Sequence, residues 1–308
     1  MNSFGIMLHG FRETSNSPKS LGFVTSDELE KTILHFGRSR FISPDEWIER
    51  TCDGSLRSDS LCLTFDDCLR SQYDFALPVL AKFNLKAFWF INSAPLNKVL
   101  NKIDVYREFR LNFFDSVDDY YQVFFECFID ADQSFFDSSN YQSFELSYRK
   151  MFPFYSLNDI KYRYLRDRVL ERETYEKVVE SLIADSGQSL SVLAEHLWLS
   201  KEQISELAKS GHEIGLHSYS HPTNMDQLSK SDQEQEYSRN YLDLKPIASN
   251  LRTAAHPCGS YSLETLIILK DLGIKVAFNS SLSKERPFRE PWMLNLQIPR
   301  EDIANVKL

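Results

Sequence analysis

The chain has 308 residues, a hydrophobic content of 42% and a formal net charge of −9. The apolar content is enough for a packed core and excludes a disordered protein, while the acidic balance argues against nucleic acid or an anionic membrane as a partner. No stretch approaches the roughly 18 apolar residues of a membrane span. The five cysteines form no CxxC pair, so we expect reduced thiols and a cytoplasmic protein.

Seven short apolar runs predict β-strands, with helical patterns between them. The runs lie at residues 4–8, 61–65, 86–91, 212–216, 251–255, 274–278 and 294–298. We interpret the first run as a strand and not as part of a signal peptide, because no basic region precedes it. Helix-start signals and helical periodicity lie at residues 27–35, 43–46, 71–83, 200–210, 231–242 and 262–272. Strands and helices that alternate at this spacing predict a parallel sheet.

The regular alternation stops between the third and the fourth predicted strand. No strand is predicted at residues 93–198, and 17 aromatic residues lie between Tyr106 and Tyr155. A polar linker would not contain so many aromatic side chains, because they need a core to be buried in. We therefore expect a helical insertion or lid at residues 93–198, and a barrel built from residues 1–92 and 199–308.

Polar residues follow most of the predicted strands at their carboxyl ends. Seven parallel strands with this pattern predict an irregular (β/α)7 barrel, because the loops that follow the strands build the active site of such barrels. The residues expected to converge there are His9, Asp66, Asp67, Asn92, His217, His221, His256, Asn279 and Arg300.

Two groups of these residues have the chemistry of a metal-dependent hydrolase. Asp66 and Asp67 follow the second strand, although two adjacent carboxylates are also typical of a helix N-cap. His217 and His221 are four residues apart, a spacing that places both imidazoles on one face of a helical turn, and a pair of ordinary core or surface histidines is the alternative. Three ligands leave a position open for water, and the spare carboxylate is free to accept a proton.

Three motifs resemble the signature motifs of the polysaccharide deacetylases, the NodB-homology enzymes of carbohydrate esterase family 4. They are Thr64-Phe-Asp-Asp67, His217-Ser-Tyr-Ser-His221 and Ala255-His-Pro-Cys-Gly-Ser-Tyr261. The resemblance covers residues 61–91 and 199–300 together with the first strand, and the insertion lies outside it. Three motifs in the family's order indicate this family much more strongly than any one of them.

The resemblance implies a role for each matching residue. Asp67, His217 and His221 match the ligands of a divalent metal, for which we expect zinc, and Asp66 matches the general base. The backbone N–H of Cys258, the residue after the proline of the third motif, matches a donor to the oxyanion. These roles agree with the chemistry of a zinc ion, which makes hydroxide available from water near neutral pH.

The sequence departs from the family pattern at three positions. Ala255 stands where many relatives have arginine, Cys68 stands where glycine is usual, and no histidine follows His256 to match the family's C-terminal Leu-x-His. We expect Arg300, at the end of the last predicted strand, to orient Asp66 in place of the missing arginine. A surface salt bridge is the alternative for this residue.

His9, which ends the first strand, is the expected general acid for the leaving amine. The chain resembles in this respect the branch of the family that includes biofilm poly-N-acetylglucosamine deacetylases, whose acid histidine lies near the N-terminus. A buried histidine hydrogen-bonded in the barrel mouth is the alternative. We expect Cys68 and Cys258 near the metal as small residues rather than as ligands, His256 packed at its strand end, and Trp292 either packed or stacked on a sugar ring.

These patterns together predict a metal-dependent hydrolase that removes an N-acyl group, with N-acetyl expected, from an amino sugar. Because no export signal is visible, we expect nucleotide-activated or lipid-linked sugars as substrates, and no pattern indicates an oligomeric state. One alternative is another metal-dependent C–N hydrolase, of the deformylase or allantoinase kind. The other alternative is a non-catalytic descendant that binds glycans.

Overall fold

The structure is a computed structural model and describes residues 3–12, 22–128, 133–282 and 286–306. In these ranges seven strands form one sheet, in which all paired strands are parallel. The strands are β1 (Phe4–Leu8), β2 (Leu61–Phe65), β3 (Phe88–Ile91), β4 (Glu213–Leu216), β5 (Thr253–Ala255), β6 (Val276–Phe278) and β7 (Arg300–Asp302). Their spatial order is β6-β5-β4-β3-β2-β1-β7.

The segment that leads into β7 joins the two ends of this sheet. The N–H of Ile298 donates to the carbonyl of Ala277 at 2.9 Å, and the N–H of Asn279 donates to the carbonyl of Ile298 at 2.7 Å, so this segment bonds to β6. On its other side, the N–H of Gly5 donates to the carbonyl of Pro299 at 3.1 Å. The sheet is therefore a nearly closed barrel, which confirms the predicted irregular (β/α)7 fold.

The segment before β7 differs in detail from the prediction. The sequence predicts a strand at residues 294–298, whereas the structure has a helix at Pro291–Asn295 and places Arg300 at the start of β7 rather than beyond the last strand. Pro291 occupies the first helical position, where its fixed φ and missing N–H favour a helix. The predicted strand at 294–298 is therefore wrong, although Ile298 forms an isolated bridge to β6.

Helices follow most of the barrel strands, and further helices build the insertion. The helices of the described residues are α1 (Ser26–Phe36), α2 (Pro44–Asp53), α3 (Leu77–Lys82), α4 (Lys102–Asn112), α5 (Val117–Glu126), α6 (Ser139–Met151), α7 (Leu157–Tyr164), α8 (Arg172–Asp185), α9 (Leu190–Leu193), α10 (Lys201–Lys209), α11 (Lys230–Leu244), α12 (Leu263–Asp271) and α13 (Pro291–Asn295). Ser43 and Ser200 cap α2 and α10 through side-chain hydrogen bonds, as the helix-start signals predict. No helix in the described ranges combines the length and the apolar content that crossing a bilayer requires.

The barrel has an inner and an outer apolar cluster because alternate residues of a strand face opposite sides of a sheet. Phe88 and Phe90 of β3 pack with Phe278 of β6 in the inner cluster. Trp89 and Ile91 pack in the outer cluster, which also contains the buried faces of the surrounding helices. The same alternation determines which of the residues that follow each strand has its side chain directed into the barrel mouth.

The amino-terminal end of the barrel is filled by apolar and ionic contacts. Trp47 and Ile48 of α2 belong to the inner cluster. Arg252, which precedes β5, forms an ion pair of 3.0 Å with Glu213 at the start of β4. The polar residues that follow the strands lie at the opposite end, where barrels of this kind have their active sites.

Residues 102–128 and 133–197 belong to a second compact unit, which contains α4 to α9. Its main core cluster is largely aromatic and includes Tyr106, Phe109, Tyr120, Tyr121, Phe124 and Tyr162. The unit begins at Lys102, whereas the sequence places the start of the insertion at residue 93, so residues 93–101 lie with the barrel.

Candidate active site

The carboxylate pair follows β2 at a sharp change of backbone direction. Asp67 and Cys68 both adopt left-handed conformations, with φ of 75° and 59°. This region favours glycine, because the Cβ atom of any other residue crowds the following carbonyl oxygen. The conformation gives a physical reason for the glycine that relatives usually have at the position of Cys68. The helical segment that follows begins at Arg70, so the structure does not support the N-cap alternative for Asp66 and Asp67.

The carboxylate loop is also held by the segment that returns from the insertion. The N–H of Leu199 donates to the carbonyl of Cys68 at 2.9 Å, and Trp198 forms an antiparallel bridge with Leu69. These contacts lie one and two residues after Asp67. The return segment therefore helps to fix the backbone on which that carboxylate stands.

The two histidines of the second motif lie on a loop after β4. Their ring centroids are 4.8 Å apart. Ser218 and His221 have positive φ values of 60° and 56°, so the segment is not the helical turn that the four-residue spacing suggests. The loop is fastened to α11, because Glu236 accepts hydrogen bonds from the N–H and the hydroxyl of Ser220 at 2.8 and 2.6 Å.

His217 is oriented by two further hydrogen bonds. Its backbone N–H donates to the side-chain oxygen of Asn240 at 3.0 Å, and the amide nitrogen of Asn240 donates to the carbonyl of Ile91 at 2.9 Å. Nδ1 of His217 lies 2.9 Å from the carbonyl oxygen of Ala255, which only accepts, so Nδ1 has the proton and Nε2 is free to bind a metal.

Asp67, His217 and His221 form the candidate metal site of the described residues, with ligand atoms that all lie within 4.8 Å of one another. Nε2 of His217 is 3.5 Å and Nε2 of His221 is 3.3 Å from Oδ1 of Asp67. Ligand atoms at the corners of a tetrahedron around zinc lie about 3.4 Å apart, because zinc–nitrogen and zinc–oxygen bonds are about 2.0–2.1 Å long. Two imidazoles and a carboxylate therefore fit a zinc ion with one further position for water.

The structure brings Asp66 together with Arg300. Nη1 and Nη2 of Arg300 donate to the two carboxylate oxygens of Asp66, each at 2.7 Å, and Nε donates to the carbonyl of Asn279 at 2.6 Å. Burial alone would raise the pKa of Asp66, but Arg300 and His217 outweigh burial and hold this pKa below its ordinary value. The carboxylate is therefore ionised and fixed in orientation, as a general base requires.

His9 follows β1 directly and faces a carboxylate that sequence reasoning missed. Its Nδ1 lies 4.0 Å from Oδ2 of Asp302, the last residue of β7. The other oxygen of Asp302 accepts from the N–H of Ala304 at 2.9 Å. Burial raises the pKa of Asp302, and the nearby His9 opposes part of that rise. The sequence contains a pattern that could have located Asp302 at the site. Asp302 lies two residues after Arg300, and residues two apart on a strand face the same side of the sheet.

The remaining predicted residues surround this centre. Cys258 lies in the turn Pro257–Gly259 with φ of 51° and has an exposed side chain. His256 is packed, since its Nε2 lies 2.8 Å from the carbonyl of Leu296. Within the described ranges the candidate metal site includes neither Cys68 nor Cys258. Trp292 packs against the outer cluster, and the ammonium of Lys270 lies 4.2 Å from its ring centroid.

A family model described as polysaccharide deacetylase matches residues 173–277. This stretch contains the second and the third motif, and the model does not extend to Asp66 and Asp67. No curated protein gives a significant match to the sequence.

Solved structures, two of them described as a deacetylase and a de-N-acetylase, share the fold of this chain. The Streptococcus pyogenes deacetylase PplD in complex with acetate is 15% identical, with a TM-score of 0.57 over 98% of this chain and 92% of that one. A de-N-acetylase from Aggregatibacter actinomycetemcomitans is 12% identical, with a TM-score of 0.58 over 99% and 97%. IcaB from Ammonifex degensii is 17% identical, with a TM-score of 0.53 over 98% and 94%.

At these identities the likeness to solved structures shows the fold. Together with the family match, it confirms the resemblance to the polysaccharide deacetylases that the three motifs indicate. The chain thus has the (β/α)7 barrel fold of these solved structures. The family match is confined to residues 173–277, and the similarity of the chain to the branch with an amino-terminal acid histidine stays a prediction.

Proposed function

We propose that the protein is a metal-dependent amidohydrolase that removes an acetyl group from an amino sugar. The proposal depends above all on one observation: side chains far apart in the sequence converge at one end of the barrel. Asp67, His217 and His221 form a single candidate ligand set, and Asp66 stands beside them in a bidentate pair with Arg300. A metal site and an ionised carboxylate beside it are the groups that attack of water on an amide requires.

Asp67, His217 and His221 are the residues that would hold the ion. A zinc ion bound there supplies Lewis acidity and lowers the pKa of bound water to about 7. The proton on Nδ1 of His217 is held by the carbonyl of Ala255, which keeps Nε2 available for the ion.

Asp66 is proposed to accept the proton of the attacking water. Arg300 keeps the Asp66 carboxylate ionised and in one orientation through two hydrogen bonds of 2.7 Å. Because both side chains are almost completely buried, the pair is little screened by solvent. Arg300 is thus proposed to perform the role of the arginine that many relatives have at the position of Ala255.

His9 is proposed to protonate the leaving amine. It is the most exposed of the histidines and carboxylates at the site, with 29% of its side chain accessible, as suits a residue that faces a large sugar. Oδ2 of Asp302 lies 4.0 Å from Nδ1 of His9. The backbone N–H of Cys258, in the turn after Pro257, is proposed to stabilise the negative charge that develops on the amide oxygen.

The test compares zinc-loaded with metal-free protein on N-acetylglucosamine oligomers. We expect release of acetate in proportion to bound zinc, and no release by a His217→Ala variant that has lost the metal. Release of formate from N-formyl substrates alone, or turnover of allantoin, would favour the other C–N hydrolases. A protein that binds glycan equally well with and without metal, and releases nothing, would show a non-catalytic descendant.

A further inference from the structure

Asn92, at the mouth of the barrel, has no role in the mechanism proposed above. It follows β3 directly, and its relative exposure is 0%. Neither its amide nitrogen nor its amide oxygen has a hydrogen-bond partner within the part of the chain that the structure describes. A buried amide without a partner costs free energy, because its hydrogen bonds to water are lost and not replaced.

The fold directs Asn92 into the barrel, at the end of a strand that neighbours the two strands leading into the candidate metal ligands. Ser93, the next residue, donates from its hydroxyl to Asp243 of α11 at 2.8 Å and thus faces outward. Alternation along the strand then directs Asn92 inward, on the side that Phe90 also faces. β3 lies between β2 and β4, the two strands that lead into the three candidate metal ligands.

Asn92 is buried to the same degree as three residues of the candidate active site. Asp66, Asp67 and His217 have relative exposures of 2%, 2% and 1%, close to that of Asn92. Asn92 follows its strand at the same end of the barrel as those residues. An uncharged amide has two N–H donors and one acceptor, which suits an oxygen atom of an acyl group.

We propose that Asn92 is a further substrate-binding residue, whose side-chain N–H donates a hydrogen bond to an oxygen atom of the acyl group. This assignment rests on the proposed deacetylase function, in which that oxygen ends as a carboxylate oxygen of acetate. Ligand binding supplies the partner that the free protein does not. Removal of the amide therefore has opposite effects on the stability of the free protein and on ligand binding.

The variant Asn92→Leu tests this, because leucine is similar in size and has no polar atoms. We expect the zinc-loaded variant to melt at a higher temperature than the wild type and to retain its zinc. In calorimetric titration it should bind acetate about tenfold more weakly, and kcat/KM for acetate release should fall by a similar factor. Asn92→Ala, which needs no extra space, should show the same loss of acetate affinity if leucine does not fit.

Tyr237→Phe is the matched control. The hydroxyl of Tyr237, on α11, is also buried and has no hydrogen-bond partner in the described ranges. Tyr237 packs in the outer apolar cluster. This variant should also melt at a higher temperature, while its acetate affinity stays that of the wild type.

The outcomes separate the two proposals. If the wild type binds acetate and both Asn92 variants bind it equally tightly, the assignment of Asn92 is overturned and the proposed function stands. If the zinc-loaded wild type neither binds acetate nor releases it from N-acetylated sugars, the proposed function is overturned, and the assignment of Asn92 with it.

Discussion

Arg300 and Asp66 form a fork-to-fork ion pair, in which each terminal nitrogen of the guanidinium lies 2.7 Å from a different carboxylate oxygen. Asp66 follows β2 and Arg300 begins β7, and β1 lies between these strands. Both side chains are buried, so loss of either one leaves the other as an unpaired charge in the barrel.

Replacement of this arginine should change the pH dependence of catalysis. Because Arg300 holds the pKa of Asp66 below its ordinary value, Arg300→Met should raise this pKa. The base is then protonated at a higher pH, so the acidic limb of the kcat/KM profile should move upward. The free energy of unfolding should fall by about 3–5 kcal/mol. Arg252→Met, which removes an ion pair at the other end of the barrel, should reduce stability without moving that limb.

The variant Asp66→Asn separates metal binding from proton transfer. An asparagine has the same size and remains compatible with the metal site, but it cannot accept the proton of water. We expect bound zinc at the level of the wild type and a fall in kcat by a factor of about 10²–10⁴. Asp67→Asn is the comparison and should lower the zinc content instead. Turnover near the wild-type rate in Asp66→Asn would disprove the role of general base.

Removal of the metal should lower thermal stability. A ligand that binds only the folded state adds stability by mass action, and three buried side chains converge on the site. We expect a chelator to lower the melting temperature of the wild type and to leave that of His217→Ala unchanged. Equal sensitivity of both proteins to the chelator would place the bound ion elsewhere.

The role of His9 can be tested by comparing two substrates that differ in their leaving group. An amine must be protonated to depart, whereas a nitrophenolate departs without help. We expect His9→Ala to lower kcat/KM for an N-acetylated sugar by about 10²-fold or more and to affect hydrolysis of nitrophenyl acetate much less. Asp302→Asn should give the same pattern with smaller losses. His35→Ala, at the end of α1, should affect neither substrate, and equal losses on both substrates in His9→Ala would remove it as the acid.

His212 makes the stability of the fold depend on pH. Burial lowers its pKa from 6.5 to about 4, with Lys86 adding to the effect. The unfolded chain therefore binds a proton near pH 6.5 and the folded protein only near pH 4, so the stability from this group is complete above pH 6.5 and is lost as the pH falls toward 4. Its contribution to the unfolding free energy should fall by about 2 kcal/mol between pH 7.5 and pH 5.

Urea unfolding of His212→Asn at the two pH values provides the measurement. The asparagine oxygen can accept the hydrogen bond that the N–H of Ala87 donates to Nδ1 of His212 at 3.1 Å, and it does not titrate. The variant should lose less stability than the wild type between pH 7.5 and pH 5. Identical losses would show that the imidazole is protonated alike in both states.

The sequence predicted those parts of the fold that depend on local patterns. The apolar runs located the strands because a buried strand needs consecutive apolar residues. The prediction at residues 294–298 was wrong because Pro291 starts a helix and, of these five residues, only Ile298 forms a bridge to a strand. Apolar composition alone does not distinguish a short helix from a strand.

The candidate site was predictable where its residues lie together in sequence. Asp66, Asp67, His217 and His221 come from compact motifs, whereas Asn240 and Asp302 act through contacts that only the fold creates. Asn240 lies in the polar helix α11, and no local pattern distinguishes the one asparagine that bonds to the backbone of His217. The four-residue histidine spacing likewise suggested a helical turn, while left-handed residues produce the observed loop.

The return segment from the insertion limits how the chain can be shortened. Leu199 donates its N–H to the carbonyl of Cys68, one residue from a candidate metal ligand. A truncated enzyme without α4 to α9 would have to retain Trp198 and Leu199 and join them to β3 by a linker that does not pull on them. Deletion of these two residues as well would release the backbone of Asp67, and the shortened protein would fail by poor zinc retention before it failed by loss of the barrel.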